Sequence, residues 1–369
     1  MASVLSLPPA ALPGWRSNRW PADPTARWAL RVACALPLVV LAVVADASGY
    51  VSSEHRLLER QADAVVDGGA ALGGLGHAYP PVPTFLAGVL PGGELALSVV
   101  AALFAGVVVQ VLAERLVLRR VPAVVAVPLL LTLVAAPAAA FVASEALPAI
   151  AVTALFALAI DGFTRFVIDK DTEGGFVAGL SVAAAAGFDD IALVFALALA
   201  VAVPSIAGAR YRAEPGSAAA TLAVVLFPVA FVTAAWAFLE WRFTGELDTA
   251  PFTFRGGVLE SFDTAARTVL TGLGHVPLYV LAAVLHAWRR PTSLVGYLAP
   301  VLALVLGAWL GLGYSPALAY VLLAYTAVVT LRRPDNRLVA GLLIAVAILQ
   351  IALSWWWVPT IPSAWLSSF

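Results

Sequence analysis

Cysteine, lysine and charge in general are scarce in this chain. Its single cysteine, Cys34, lies inside an apolar run, so an intramolecular disulfide and a cysteine metal cluster are both excluded. Lysine occurs once, at Lys170, and arginine carries the rest of the positive charge. Charged residues are 12% of the 369, against 62% hydrophobic residues. One soluble core of this length cannot hide that much apolar surface. Lipid is therefore the solvent for most of it. Phosphate-loop and zincin motifs are missing as well. No polar stretch is long enough for a soluble domain, so residues 1–369 read as one integral membrane domain.

What is present is a series of apolar runs near the ~20 residues that a bilayer-crossing helix needs. They fall at 29–45, 95–113, 121–142, 147–168, 174–188, 190–208, 218–239, 270–287, 292–311, 316–331 and 338–356. The expectation is an all-α polytopic membrane protein with about 11 transmembrane helices. Gly187-Phe188-Asp189-Asp190 divides the fifth run from the sixth. Gly175-xxx-Gly179 and Gly307-xxx-Gly311 let helices approach closely.

The arginines test the span order. Arg115, Arg119 and Arg120 follow the second run, Arg165 and Lys170 the fourth, and Arg210 and Arg212 the sixth. Arg289 and Arg290 follow the eighth, and Arg332, Arg333 and Arg337 the tenth. Segment 1–28 is basic too, through Arg16, Arg19 and Arg27. By the positive-inside rule that face is cytoplasmic. The expected location is a bacterial plasma membrane, with the N-terminus inside and the C-terminus outside. Ala45-Asp46-Ala47 mimics a signal-peptide cleavage site, but the polar lead is long and the run can span, so a retained anchor is expected. The net charge of −1 hides the segregation, because the acids gather on the opposite, outer face.

Two outer loops are long, 46–94 and 240–269. The first opens on Asp46, where the first run ends. Leu57, Leu58, Gln61, Ala62, Val65 and Val66 then recur at helical spacing among charges from Glu54 to Asp67. Such a helix lies on the membrane interface, apolar face down. The same pattern fits a plain surface helix. Next, in Tyr79-Pro80-Pro81-Val82-Pro83 the prolines remove backbone donors and fix φ, so the piece is expected to be rigid and extended. It leads into Thr84–Leu90, too short to span and read as re-entrant or interfacial.

An acid just after the first span, an amphipathic outer loop and then Tyr-Pro-Pro before the second span resemble a GT-C-fold glycosyltransferase. The run GGFVAGLSVAAAAGFDDIALVFALALAVAVP is similar to that family's glycine-led middle helices. The resemblance covers roughly residues 25–210 and is divergent. It implies sugar transfer from a polyprenyl-phosphate donor to a glycan, lipid or protein acceptor of the cell envelope, on the extracytoplasmic face. It implies inversion by direct displacement, with Asp46 as base or as ligand of a divalent cation such as Mg or Mn. Glu54 and His55 would support Asp46. The family often has adjacent acids, whereas Asp46 is followed by Ala-Ser-Gly-Tyr and the next acid is Glu54. The two converge if the chain turns at Gly49; otherwise catalysis is impaired.

The chemistry stands apart from the family. A hydroxyl attacking an anomeric carbon needs a carboxylate to take its proton. The leaving phosphate needs positive charge, and the arginine fork matches its oxygens. The substrate-binding expectation is therefore Arg56, Arg242, Arg255 and Arg267, with His77 and Tyr79 beside them and Trp241, Phe243, Phe252 and Phe254 to grip an isoprenoid. His77 reads equally as an interface residue. Asp189 and Asp190 read as wet turn residues, and Asp161 is expected to pair with Arg165 one turn away. A transporter or flippase of a lipid-linked or small polar substrate is the alternative. A non-catalytic GT-C-like membrane protein is another. No nucleic-acid partner is expected.

Overall fold

The computed structural model describes residues 20–67, 80–169, 172–210, 217–245, 258–289, 294–312, 315–331, 333–334 and 336–369. His77, Tyr79 and Arg255 lie outside the described residues. Within them the chain is an α-helical membrane protein, with no strand among the described residues. Four helices are long and apolar enough to cross a bilayer: α1 (Pro24–Ala47), α4 (Gly93–Leu118), α10 (Ser217–Thr244) and α15 (Arg337–Trp356). Two pairs pass the same test together but are bent. Helices α5 (Ala123–Val134) and α6 (Pro137–Glu145) meet at 60°, and α11 (Val258–Leu273) and α12 (Pro277–Arg289) at 89°.

Shorter apolar stretches lie in α7 (Leu147–Asp169), α9 (Ile191–Arg210), α13 (Leu294–Leu310) and α14 (Pro316–Thr330). Helix α8 (Thr172–Ala186) has 15 residues. A helix of that length rises ~22 Å, short of the ~30 Å hydrocarbon core. By length and composition the described residues hold four candidate spans, or six if each bent pair is one span.

Local chemistry explains the breaks. Asp23 caps α1, accepting from the N–H of Thr25 and Ala26. Ser315 and Asn336 cap α14 and α15 in the same way. The division at Gly187–Asp190 is present, because α8 ends at Ala186 and Asp189 Oδ1 accepts the N–H of Ile191 at 2.8 Å to start α9. The proline segment differs from expectation. It is helical from Pro81, as α3 (Pro81–Val89). Pro81 and Pro83 occupy the first turn, where a missing N–H leaves no hydrogen bond unmade.

Two ends of the bundle have opposite character. At one, Arg31 donates to Gln110 Oε1 at 3.0 Å, and Gln110 donates to Glu114 at 2.8 Å. Arg115 pairs with Asp161, and Arg119 donates to the carbonyl of Leu331. Asp161 thus has a partner on neighbouring α4; the side chain of Arg165, its expected partner, lies outside the described residues. The other end carries Asp46, α2 (Ser53–Asp67), Glu94, Glu145 and Asp189.

Between the ends, α14 forms the centre. Every residue from Ala317 to Val329 is buried. Tyr320 donates to the carbonyl of Thr132 at 2.8 Å and Tyr325 to that of Ala157 at 3.2 Å. Backbones approach closely where glycine permits. A Cβ on Gly106 would meet the Arg31 carbonyl at 2.3 Å, and one on Gly179 the Val224 carbonyl at 2.7 Å. Gly175 lies against Phe166, while Gly307 is roomier, with Ile191 as its nearest neighbour at 3.4 Å.

Candidate functional site

Asp46 is exposed in the last turn of α1. The chain turns immediately after it, with Gly49 at φ 81° and the Gly49 N–H donating to the Asp46 carbonyl at 2.9 Å. That turn returns the chain along the acidic end, where α2 packs on α3 and α4. Asp46 and Glu59 both lie close enough to repel Glu94, in the first turn of α4. Arg56 answers Glu94 at 3.6 Å. The Glu59 carboxylate lies over Gly93, at the helix start. A negative group is favourable there, because the first N–H groups of a helix are unpaired.

The buried stripe of α2 differs from the expected one. His55, Leu58 and Ala62 are buried, whereas Leu57 and Val66 point outward, 54% and 67% exposed. The buried side of α2 packs on α3 and α4. A polar side chain therefore takes part in the seat, and it is fully paired.

His55 is that side chain. Its Nε2 accepts the Leu147 N–H at 3.3 Å, which leaves the proton on Nδ1. Nδ1–H donates to Ser98 Oγ at 3.2 Å, and Ser98 donates to Glu145 Oε2 at 3.4 Å. Ser52 donates to the Glu145 carbonyl at 2.7 Å. Burial pushes the His55 imidazolium down to about 4, so the ring is neutral. With both nitrogens engaged, His55 ties α2 to α4 and α7. Sequence reasoning missed Ser52, Ser98 and Glu145, which reach the site from separate segments.

Glu54 turns toward a different neighbour. Burial, then the Asp189 carboxylate, raises it to about 8. Asp189 is itself raised to about 6 by burial, against the Ile191 N–H and with Asp190 adding repulsion. Asp189 is therefore a half-buried helix cap rather than a wet turn residue. Glu54 thus lies close to the Asp189 carboxylate, while Asp46 lies close to Glu94. Tyr50, between α1 and α2, is raised by burial and by Glu145. No three His, Cys, Asp or Glu side chains among the described residues converge closely enough to hold a metal.

Of the arginines expected from the second loop, Arg242 and Arg267 fall among the described residues. Arg242 is exposed in the last turn of α10, 6.0 Å from the Phe243 ring. Arg267 is exposed on α11 and pairs with Asp263 at 2.7 Å. It lines a cavity of about 400 Å³ with residues of α11, α14 and Trp357. Asp46, Glu54 and His55 do not line that cavity. On the acidic side α16 (Thr360–Leu366) packs on α6, and Ser48 donates to Ser368 at 3.5 Å.

Compared with protein families, curated proteins and solved structures, the chain matches none of them.

Proposed function

We propose that the chain is a GT-C-like membrane glycosyltransferase, crossing the bilayer eleven times with its basic end in the cytoplasm. One observation carries the reading. Asp46 is an exposed carboxylate where α1 ends, close to Glu94 and at the same end of the bundle as Glu54, Glu145 and Asp189. In this mechanism Asp46 takes the proton of the acceptor hydroxyl as its oxygen attacks the anomeric carbon. The bond from that carbon to the polyprenyl phosphate breaks, and the configuration inverts. Arg242, exposed at the end of α10, is the available cation for the departing phosphate. The buried His55–Ser98–Glu145 chain holds α2 in place beside Asp46.

Eleven crossings require the shorter helices α7, α8, α9, α12, α13 and α14 to count as spans. The segregation of arginine at one end supports that count. The test of the activity uses purified protein in nanodiscs, a polyprenyl-phosphate donor carrying a radiolabelled sugar, and envelope extract as acceptor. Label should move from donor to acceptor, and Asp46→Asn should stop it. No transfer from any polyprenyl-phosphate sugar removes the reading.

A transporter or flippase is the second reading. The bent pairs α5–α6 and α11–α12 favour it, since transporters build their sites on broken helices. Counterflow of solute in vesicles, without transfer, would decide for it.

A further inference from the structure

The cavity under α11 has a composition of its own. Thr264, Arg267, Thr268 and Thr271 fall at helical spacing and turn one face of α11 toward it. The opposite wall is Pro316, Ala319 and Tyr320 of α14, with Trp357 beside them. One wall is therefore hydroxylated and the other is ring and methyl.

The charges and hydrogen bonds already in place narrow the ligand. Arg267 is answered by Asp263 at 2.7 Å, so the cavity has no uncompensated arginine. The Tyr320 hydroxyl donates to the Thr132 carbonyl and accepts from Gln350 at 3.2 Å, leaving its ring as the floor. Thr268 and Thr271 donate to the carbonyls of Thr264 and Arg267 at 2.9 and 2.7 Å. Their oxygens then face a ligand as acceptors. Nδ1 of His275 is buried and has no hydrogen-bond partner among the described residues, although its ring stacks on Trp357 at 3.8 Å. A buried polar nitrogen needs a partner.

We propose that this cavity binds a neutral saccharide unit. A sugar ring has an apolar C–H face, which rests on the negative face of an aromatic ring. It also has an edge of hydroxyls, which can donate to Thr268 and Thr271 and pair with His275. About 400 Å³ is ample for one or two rings and lies within the usual range of ligand pockets. A free phosphate would find one arginine already paired and a wall of ring and methyl groups. The inference stands whether or not Asp46 transfers sugars, because it concerns binding alone.

The test uses full-length protein in nanodiscs and saturation-transfer NMR on the methyl glycosides of glucose, mannose and galactose. At least one should receive saturation, and excess inorganic phosphate should leave the signal unchanged. Thr268→Val removes one acceptor without changing shape and should weaken binding by about threefold to tenfold, the effect of one neutral hydrogen bond. Trp357→Ala should weaken it further. Both variants should melt as the parent does; if Trp357→Ala does not, Thr271→Val takes its place. No signal from any glycoside, displacement by phosphate, or unchanged affinity in the variants overturns the proposal.

Discussion

The main-chain N–H of Leu147 donates to Nε2 of His55 across 3.3 Å and ties the acidic surface helix to the start of α7. The bond is buried, and so is the imidazole. It fixes the tautomer and, through Ser98, the orientation of the Glu145 carboxyl. Removing the ring leaves a buried N–H and a buried hydroxyl each short of a partner.

His55→Ala should therefore destabilise the seat of α2 by roughly 1–3 kcal/mol. Hydrogen exchange in residues 53–67 should accelerate, while α14 stays protected. Unchanged exchange in α2 would show that Leu58 and Ala62 suffice to hold it.

The acidic end should make stability depend on pH. Glu54 is raised from 4.5 to about 8, so the folded protein holds a proton that the unfolded chain releases. Stability then falls as pH rises through that window and levels off near its top. Asp189, raised from 3.8 to about 6, acts in the same direction over a lower window. His55, lowered from 6.5 to about 4, acts oppositely, adding stability as pH rises between those values. Above 6.5 the decline due to Glu54 is unopposed. The thermal midpoint should drop from there to about pH 8, and Glu54→Gln should flatten the drop. A rising midpoint in the parent would refute this assignment.

Gly106→Val should separate α1 from α4, because a Cβ there meets the Arg31 carbonyl at 2.3 Å and the Ala35 Cβ at 3.0 Å. Overpacking of this kind costs about 1–3 kcal/mol. Gly341→Ala is the control, with nothing within 4 Å of its Cβ. The two variants should differ clearly in thermal midpoint. Equal midpoints would mean that the helices part without penalty.

Asp46→Asn should reduce glycosyl transfer by about 10²–10⁴-fold, as loss of a general base does. Its thermal midpoint should not move, because the side chain is exposed. Retained transfer would displace Asp46 from the reaction.

Labelling from each side of the membrane tests the proposed topology. Cysteines placed at Arg120, Arg212, Arg290 and Arg333 should react only from the cytoplasmic side. Those at Gly68 and Gly256 should react only from outside. Label reaching Arg212 from outside would invert every later segment.

Much of the architecture is legible in the sequence because its signals are local. Gly187–Asp190 breaks a helix with a glycine and a capping acid, both readable in place. The turn at Gly49 follows from that glycine in the same way. Pairings across the bundle are different. Asp161 has a basic residue one turn away in the sequence, yet Arg115 reaches it from a helix 46 positions earlier. Charge and spacing on one helix cannot show which neighbour faces it. The sequence places His55 only as a support for Asp46, because its partners Ser98 and Leu147 come from two other helices and Glu145, beyond Ser98, from a third. Span count is the least legible feature: α14 has an ordinary apolar run, and nothing in that run marks it as the centre.

That central position has a consequence for biosynthesis. Synthesis reaches α14 after the helices it contacts, α4 to α7 and α11 to α13, have been made. The helices that will enclose it must first associate around a space that it does not yet fill. Until then, lipid or the insertion machinery has to occupy that space, and the carbonyls of Thr132 and Ala157 wait for Tyr320 and Tyr325. A chain stopped before Pro316 would hold the earlier helices that contact α14 without α14 itself.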